Sequence, residues 1–270
     1  MAAYHAKKRL GQNFLVSTTI IKKILDTAAP KSGQTVIEIG AGRGALTTGL
    51  AETGAQVTAV EFDTDMIGYL TRLLRKYDNV EILQQDFLTL EVDPERHGRI
   101  VLVGNLPYNI TSPVIDWCLK YHGSLVRAVF MVQKEMADRI AASPGSKDWS
   151  PLSIFTQMSF DVERCFDVPP ESFRPPPKVT STVVTLTPRT PEKVEDHEAL
   201  EAVVRASFVK RRKLLKNNLV PAIIPDNLQA EKVFGELDLA ADSRAEQLSI
   251  EQFLKLTNAL LRHNILSVRS

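Results

Sequence analysis

The sequence predicts an α/β fold, a doubly wound sheet of about seven strands with an antiparallel hairpin at one edge, followed by a small C-terminal helical domain. From Gly33 to Pro188, short β-branched apolar runs alternate with longer segments of helical period. The proline-rich loop Val168–Lys178, which joins the last two predicted strands, is too short to hold a crossover helix. These two strands are therefore predicted to pair antiparallel.

The predicted strands occupy the first two thirds of the chain: Thr35–Gly40, Gln56–Glu61, Val80–Asp86, Ile100–Asn105, Val126–Val132, Asp161–Val168 and Thr180–Thr187. Helices are predicted between the earlier strands: Ala45–Thr53, Thr64–Lys76, Ser112–Tyr121 and Lys134–Ala142. Parallel strands joined by helices place their carboxyl ends at one edge, where open α/β sheets bind ligands.

A change of pattern marks a domain boundary. After Pro188 and Pro191 the strand pattern stops, and apolar residues recur at helical spacing: Leu200, Val204, Phe208, Leu215 and Leu219. We therefore expect a sheet domain over residues 1–188 and a helical domain over residues 189–270.

Composition excludes several classes of protein. With 44% hydrophobic and 24% charged residues, the 270-residue chain has enough apolar material for a folded core. No apolar run approaches the roughly 20 residues of a membrane span, and the charged start does not resemble a signal peptide, so a cytoplasmic protein without a membrane partner is expected. Two isolated cysteines and five scattered histidines predict neither a disulfide framework nor a metal site.

The net charge of +1 conceals two basic segments. Residues 1–25 contain no acid but several bases: Lys7, Lys8, Arg9, Lys22 and Lys23. Residues 202–225 also lack acids and contain Arg205, Lys210, Arg211, Arg212, Lys213 and Lys216. Local positive charge favours a polyanionic partner, because releasing counterions from phosphates rewards local charge. Two solvated helix faces would produce the same pattern.

A glycine-rich loop follows the first predicted strand. It fits the dinucleotide pattern Gly40-x-Gly42-x-x-Ala45 and equally the methyltransferase pattern Glu38-x-Gly40-x-Gly42-x-Gly44, so the loop alone does not identify its ligand. Glu61, at the end of the second strand, suits both a dinucleotide and the cofactor of a methyltransferase, because one carboxylate can accept hydrogen bonds from both hydroxyls of a ribose. Asp86, after the third strand, can accept from the exocyclic amine of an adenine ring, although a turn cap is an equal alternative.

The fourth strand ends in Asn105-Leu-Pro-Tyr108, which indicates amine chemistry. The exocyclic amine of adenine is a poor nucleophile because its lone pair is delocalised into the ring. The Asn105 side-chain oxygen and the Leu106 carbonyl can each accept one amine hydrogen, while Pro107 stiffens the turn and Tyr108 stacks on the base. A buried strand end with a polar cap is the structural alternative. The position of Asn105-Leu-Pro-Tyr108, three strands after the glycine loop, favours the methyltransferase interpretation.

Together the motifs resemble the bacterial small-subunit (16S) rRNA adenine N6,N6-dimethyltransferases, the kasugamycin-sensitivity family, over nearly the whole chain. The resemblance rests on Lys8-Arg-Leu-Gly-Gln-Asn-Phe-Leu15, Glu38–Gly44, Glu61, Gln85–Phe87, Asn105–Tyr108, Ser172–Val179 and Phe208–Leu219. It implies a Rossmann-like methyltransferase sheet, S-adenosylmethionine as cofactor, and N6,N6-dimethylation of two adjacent adenosines near the 3′ end of small-subunit rRNA during ribosome biogenesis. It further implies a monomer that acts on an immature 30S particle.

The resemblance also assigns residues to three tasks. The expected cofactor contacts are Asn13, Leu15, Gly40, Gly42, Glu61, Asp86 and Asn105. Phe173 is expected to join Tyr108 in holding the flipped adenine, with Asn105, Leu106 and Pro107 beside it, and Gln12–Leu15 is expected to be a coil over the cofactor. A helix is expected to contact rRNA phosphates through Lys210, Arg211, Arg212, Lys213 and Lys216.

Two alternatives stay open at this point. The related large-subunit rRNA methyltransferases that confer macrolide resistance share the sheet and the Asn-x-Pro-Tyr type of motif, although the segment Arg211–Leu219 favours the small-subunit family. An assembly factor that binds immature small subunits, with methylation as an incidental activity, belongs to a different class. Intact Asn105 and Tyr108 favour catalysis over that class.

Overall fold

The computed structural model describes most of the chain: residues 13–107, 109–190 and 193–266. Tyr108 and the basic residues Lys7, Lys8 and Arg9 lie outside the described residues.

The described strands, in chain order, are β1 (Phe14–Leu15), β2 (Thr35–Ile39), β3 (Gln56–Glu61), β4 (Val80–Gln84), β5 (Ile100–Asn105), β6 (Leu125–Gln133), β7 (Phe160–Val168), β8 (Phe173–Arg174) and β9 (Ser181–Pro188). The described helices are α1 (Thr18–Ala28), α2 (Thr47–Glu52), α3 (Thr64–Leu74), α4 (Pro94–His97), α5 (Thr111–Lys120), α6 (Lys134–Ile140), α7 (Pro151–Ser159), α8 (His197–Ser207), α9 (Leu215–Leu219), α10 (Asn227–Glu236) and α11 (Ile250–Arg262).

Seven of these strands form one sheet in the order β4-β3-β2-β5-β6-β9-β7. The pairs from β4 to β6 are parallel, whereas β9 is antiparallel to both β6 and β7. Residues Ile100–Val103 of the central strand β5 are all buried, as in a sheet covered on both faces. The predicted sheet with an antiparallel edge is confirmed.

Strand ends differ from the predicted ends by one or two residues for identifiable reasons. β3 and β5 have the predicted bounds. β2 ends one residue early because Gly40 has a φ of 68°, outside the range of a strand. β4 ends two residues early because Asp86 begins a 3₁₀ turn and its side chain accepts the N–H of Leu88.

The expectation of a coil at Gln12–Leu15 is wrong for its described last residues. Phe14 and Leu15 form β1, which pairs antiparallel with β8 in the proline-rich loop. In this two-stranded ribbon Phe14 faces Arg174 and Leu15 faces Phe173. The N–H of Val16 extends the contact by donating to the Ser172 carbonyl at 2.8 Å. Pairing with β8 provides hydrogen-bond partners for the backbone groups beside the buried Leu15. A coil would leave these backbone groups without partners.

The chain divides into two compact units, which contain Met1–Asp138 with Ser159–Arg189, and Arg139–Met158 with Thr190–Ser270. Residues 139–158 thus join the helical unit, whereas the sequence places the boundary once, at 188. Packing explains the difference, since Trp149 is 1% exposed within the apolar core of the helical unit and its indole N–H donates to the Leu248 carbonyl at 2.9 Å. Across the described residues, no helix is long and apolar enough to cross a membrane.

The prediction that one helix carries the basic residues is wrong for residues 210–213, whereas Lys216 lies in helix α9. Helix α8 ends at Ser207, residues 208–213 form turns and a bend, and α9 begins at Leu215. The Asn218 side chain holds the turn by donating to the carbonyls of Ser207 and Lys210. A helix would stack these cations at i,i+3 and i,i+4 positions, where like charges destabilise it.

Candidate active site

A cavity of about 330 Å³ opens in the first unit, where β2, β3, β4 and β5 end. Every described residue that the sequence assigns to catalysis or to the cofactor lines it: Asn13, Leu15, Gly40, Gly42, Glu61, Asp86, Asn105, Leu106, Pro107 and Phe173. Tyr108, the remaining predicted catalytic residue, is not among the described residues. The position agrees with the rule that open α/β sheets bind ligands beyond the carboxyl ends of their strands.

The glycine loop requires its first two glycines for different reasons. Gly40 (φ 68°) and Gly42 (φ 55°) both adopt left-handed backbone conformations that disfavour other residues. A Cβ at Gly40 would meet no atom within 4 Å, so the backbone there lies open to a ligand. A Cβ at Gly42 would lie 3.5 Å from two atoms of the Phe14 ring, so Gly42 lets the ring approach the loop.

Glu61 is fixed by two backbone donors. Its Oε2 accepts the N–H of Gly42 and its Oε1 accepts the N–H of Asp63, both at 2.8 Å. The side chain is 8% exposed and lines the cavity. A carboxylate oxygen accepts more than one hydrogen bond, so the fixed carboxylate can also accept from ribose hydroxyls.

Glu38 is the most deeply buried of the acids that line the cavity. It is 2% exposed, and its Oε2 has no hydrogen-bond partner. Burial raises the pKa of Glu38 to about 8; the Thr47 side chain opposes this rise and the Glu61 charge adds to it. Glu38 therefore carries a proton in a large share of molecules near neutral pH. The sequence pattern includes Glu38 but does not reveal this protonation, because burial is a property of the folded state.

The cavity lining also includes a turn-capping acid and an exposed aromatic ring, Asp86 and Phe62. Oδ1 of Asp86 accepts the Leu88 N–H at 3.0 Å, so Asp86 caps a turn and also lines the cavity. Phe62 lines the same cavity although 64% of its surface is exposed. Phe62 is not among the predicted site residues, and its only sequence signal is its place directly after Glu61. An exposed ring and a carboxylate that line the same cavity suit the face and the amine of an adenine.

Asn105 ends β5 with its amide held in one orientation. Its Nδ2 donates to the backbone carbonyl of Asn13 at 3.1 Å, which leaves Oδ1 as the acceptor end of the amide. The N–H of Leu106 donates to the Met131 carbonyl at 3.0 Å and fixes the turn that follows. Asn105, Leu106 and Pro107 all line the cavity. The geometry suits a hydrogen-bond acceptor aimed at an amine.

Phe173 is 1% exposed and packs in the same apolar core as Leu15, its partner in the ribbon. It also lines the cavity. The ring thus lies at the cavity wall but presents almost no surface to solvent.

The basic residues that the sequence assigns to RNA lie in the helical unit. Lys210, Arg211, Arg212 and Lys213 are exposed in the turn before α9. Arg211 donates to the backbone carbonyl of Lys147 within the same unit. Lys216 is less accessible, because its Nζ pairs with Glu231 at 3.0 Å and its side chain is 23% exposed.

Histidine, cysteine and acidic side chains in the described ranges 13–107, 109–190 and 193–266 form no group of three or more that could hold a metal ion. The cavity itself is lined by carboxylates, amides, the arginine Arg43, aromatic rings and aliphatic side chains.

A sheet with a glycine loop at its first strand end, acids after the next two strands and an Asn-Leu-Pro segment after the fourth defines a Rossmann-like methyltransferase. Residues 3–261 match the model of the family described as "Ribosomal RNA adenine dimethylase". The chain belongs to the ribosomal RNA adenine dimethylase family, and its methyl donor is S-adenosylmethionine.

Curated relatives cover almost the full length. The "Ribosomal RNA small subunit methyltransferase A" of Xanthomonas euvesicatoria pv. vesicatoria (strain 85-10) is 41% identical over 259 residues, 95% of this chain and 97% of its own. The protein of the same name from Xanthomonas oryzae pv. oryzae (strain PXO99A) is 42% identical over 256 residues, 94% of this chain and 95% of its own.

Two solved structures share the fold. A dimethyladenosine transferase from Plasmodium falciparum is 29% identical with a TM-score of 0.77, covering 93% of this chain and 97% of its own. The 23S rRNA methyltransferase ErmE is 30% identical with a TM-score of 0.73, covering 92% of this chain and 99% of its own.

Proposed function

We propose that this enzyme transfers methyl groups from S-adenosylmethionine to the N6 amines of two adjacent adenosines near the 3′ end of small-subunit rRNA, within an immature 30S particle. The product is N6,N6-dimethyladenosine. The single observation that carries the proposal is the fixed amide of Asn105 at the cavity, because an acceptor of known orientation at this strand end is what an adenine amine requires. Near-full-length relatives named small-subunit methyltransferases support the choice of rRNA.

The cofactor fits the side of the cavity formed by β2, β3 and β4. The open backbone at Gly40 admits the methionine part, Glu61 accepts the ribose hydroxyls, and Asp86 accepts from the adenine amine while Phe62 covers the ring. The orphan Oε2 of buried Glu38 adds a polar atom that a bound ligand or water can satisfy. When bound, S-adenosylmethionine supplies an electrophilic methyl group on a sulfonium sulfur.

Two hydrogen bonds to the enzyme activate the target amine. Oδ1 of Asn105 and the Leu106 carbonyl each accept one N6 hydrogen, which turns the nitrogen lone pair out of the ring plane. Asn105 and Leu106 would hold the nitrogen in this way while a bound cofactor supplied the methyl group, and the proton displaced from the nitrogen would pass to water. A second transfer to the same nitrogen requires the monomethylated amine to turn, so that its remaining hydrogen meets one acceptor.

The helical unit supplies a surface for rRNA phosphates in this proposal. Exposed Lys210, Arg212 and Lys213 concentrate positive charge in one turn, and Arg211 lies between them. Phosphate contacts position RNA without reading its sequence, so specificity comes from RNA shape. We place the reaction in the cytoplasm and assign the enzyme as a monomer, since one chain contains both the cavity and the basic turn.

A substrate comparison tests the proposal. Labelled S-adenosylmethionine is offered with unmethylated small subunits, with large subunits and with naked RNA, and the product is mapped by mass spectrometry. We expect dimethyladenosine at two neighbouring positions of small-subunit rRNA. Label in large subunits alone would instead favour the activity named for ErmE, which this chain resembles at 30% identity. Only monomethyladenosine at saturating cofactor and long times would rule out dimethylation.

A role in assembly is the second candidate, because exposed cations in the basic turn suit rRNA phosphates whether or not methyl transfer follows. Small subunits bound tightly by a variant unable to transfer methyl groups, with their maturation delayed, would support it.

A further inference from the structure

We propose that β1 is a positioning element for methyl transfer: the backbone carbonyl of Asn13 selects the orientation of the Asn105 amide, and Arg43 holds β1 against the glycine loop. The inference rests on the proposed function, because it assigns a task to a neighbour of the residue that holds the amine. It adds Asn13, through its backbone, and Arg43, through its side chain, to the residues that the reaction needs.

The amide of Asn105 has two chemically opposite ends of nearly equal size. Rotation by half a turn would exchange the acceptor Oδ1 for the donor Nδ2, and a donor facing the target amine would repel its hydrogens. A carbonyl oxygen can only accept, so the Asn13 carbonyl at 3.1 Å admits only the Nδ2 end. The hydrogen bond thus sets which end of Asn105 faces the amine.

The carbonyl can select this orientation only if β1 is held in place. On one side, β1 pairs with β8, where Leu15 faces Phe173 and the Val16 N–H bonds to Ser172. On the other side, the Arg43 guanidinium lies 4.6 Å from the centre of the Phe14 ring. The same ring lies close to Gly42, where a Cβ would be at 3.5 Å. Phe14 therefore packs against the glycine loop.

These contacts link three parts of the site. The glycine loop contacts Phe14, Asn13 precedes Phe14 and bonds to Asn105, and Leu15 follows Phe14 and pairs with Phe173. A ligand that orders the glycine loop therefore also stabilises the position of β1. In that position the Asn13 carbonyl holds Asn105 in its acceptor orientation.

Hydrogen exchange of the full-length protein tests the role of Arg43 without RNA or cofactor. Arg43→Leu should raise the exchange rates of the Phe14, Leu15 and Val16 amides by about two- to fivefold, the range expected for removing an exposed cation–π interaction. Arg43→Lys should restore slow exchange because it keeps a cation over the ring. The matched control is Lys76→Leu, which removes a cation 4.7 Å from the Tyr77 ring at a residue outside the cavity lining. Unchanged exchange in Arg43→Leu would overturn the assignment of Arg43.

Asn105→Asp tests whether the Asn13 carbonyl selects the orientation of the side chain at position 105. The ionised variant keeps an acceptor for the amine but presents a second acceptor to the Asn13 carbonyl. At pH 8, where an aspartate is ionised, we expect the β1 amides to exchange at least about tenfold faster than in the wild type. With unmethylated small subunits at the same pH, kcat should fall below that of the wild type. Asn109→Asp, which adds the same charge to another lining residue, controls for charge.

The outcomes separate this inference from the proposed function. An exchange ratio for Asn105→Asp that equals that of Asn109→Asp at pH 8 would overturn the positioning role. Faster exchange of the β1 amides in Asn105→Asp with kcat unchanged from the wild type would do the same. Wild-type protein that fails to methylate small subunits would remove the proposed function, whereas the exchange results would still decide whether Asn13 and Arg43 hold the site.

Discussion

The carboxylate of Glu61 accepts the backbone N–H of Gly42 at 2.8 Å, which joins the end of β3 to the glycine loop after β2. Its other oxygen accepts the Asp63 N–H, so the acid is fixed before any ligand binds. A ribose that binds here meets an acceptor already in place, and little side-chain entropy is lost on binding.

Glu61→Ala should weaken the binding of S-adenosylhomocysteine by about tenfold or more. Removing a hydrogen bond to a charged group costs about 1.5–3 kcal/mol, and about 1.4 kcal/mol corresponds to tenfold. Calorimetry measures the affinity, and Glu81→Ala, an exposed acid on β4, is the control. Affinity within about twofold of the wild type would mean that Glu61 does not hold the ribose.

Phe62→Ala should weaken the same ligand by about three- to tenfold, because stacking on an aromatic ring contributes about 0.5–1.5 kcal/mol. The unfolding temperature should change little, since 64% of the side chain is exposed and little buried surface is removed. Tyr69→Ala removes another exposed ring, 41% exposed on α3 and outside the cavity lining, and should leave the affinity unchanged. Equal affinities for both variants would remove Phe62 from the cofactor site.

Glu38→Gln should change how stability depends on pH. The pKa of folded Glu38 is raised from 4.5 to about 8, so the folded state keeps a proton that the unfolded state releases above about 4.5. Stability of the wild type therefore falls as pH rises from about 4.5 to about 8, by at most about 1.4 kcal/mol per pH unit from this group. Below and above that window the group adds no slope.

The measurement is thermal unfolding of the ligand-free protein at pH 5, 6, 7 and 8. The unfolding temperature of Glu38→Gln minus that of the wild type should increase steadily across the series, because glutamine has no proton to lose. Glu81→Gln, exposed on β4, controls for the general effect of removing one acid. A difference that stays constant with pH would contradict the raised pKa.

Strands of the sheet could be predicted closely because each is a short β-branched run between polar segments. The bounds of β3 and β5 match, and the site residues at strand ends, Gly40, Glu61 and Asn105, meet in one cavity because parallel strands share an edge. Local sequence patterns are thus sufficient to predict a site residue whose position depends on one strand.

Contacts between distant segments could not be predicted in this way. The ribbon of β1 and β8 pairs two residues with two, too short for any alternation to signal it. The bond from Asn105 to Asn13 spans 92 positions and ends on a backbone carbonyl, which every residue possesses. The burial of Glu38 and the turn at residues 208–213 likewise depend on packing and charge repulsion in the folded chain.

Catalysis and RNA docking should respond to different substitutions. Asn105→Ala should lower turnover strongly while leaving the affinity for small subunits nearly intact, because the Asn105 acceptor is used most fully as the amine becomes tetrahedral. Arg212→Ala with Lys213→Ala should instead weaken the binding of small subunits. A plot of the logarithm of the binding constant against the logarithm of the salt concentration should become less steep, by about 0.7–0.9 for each phosphate that the variant no longer neutralises. Turnover at saturating substrate should be preserved. Arg211 is left intact in this variant because it also bonds to the Lys147 carbonyl. The matched control removes two exposed lysines of the same unit, Lys232 on α10 and Lys255 on α11. If the turn variant and the control show the same slope as the wild type, the turn is a solvated surface and the RNA contacts lie elsewhere on the chain.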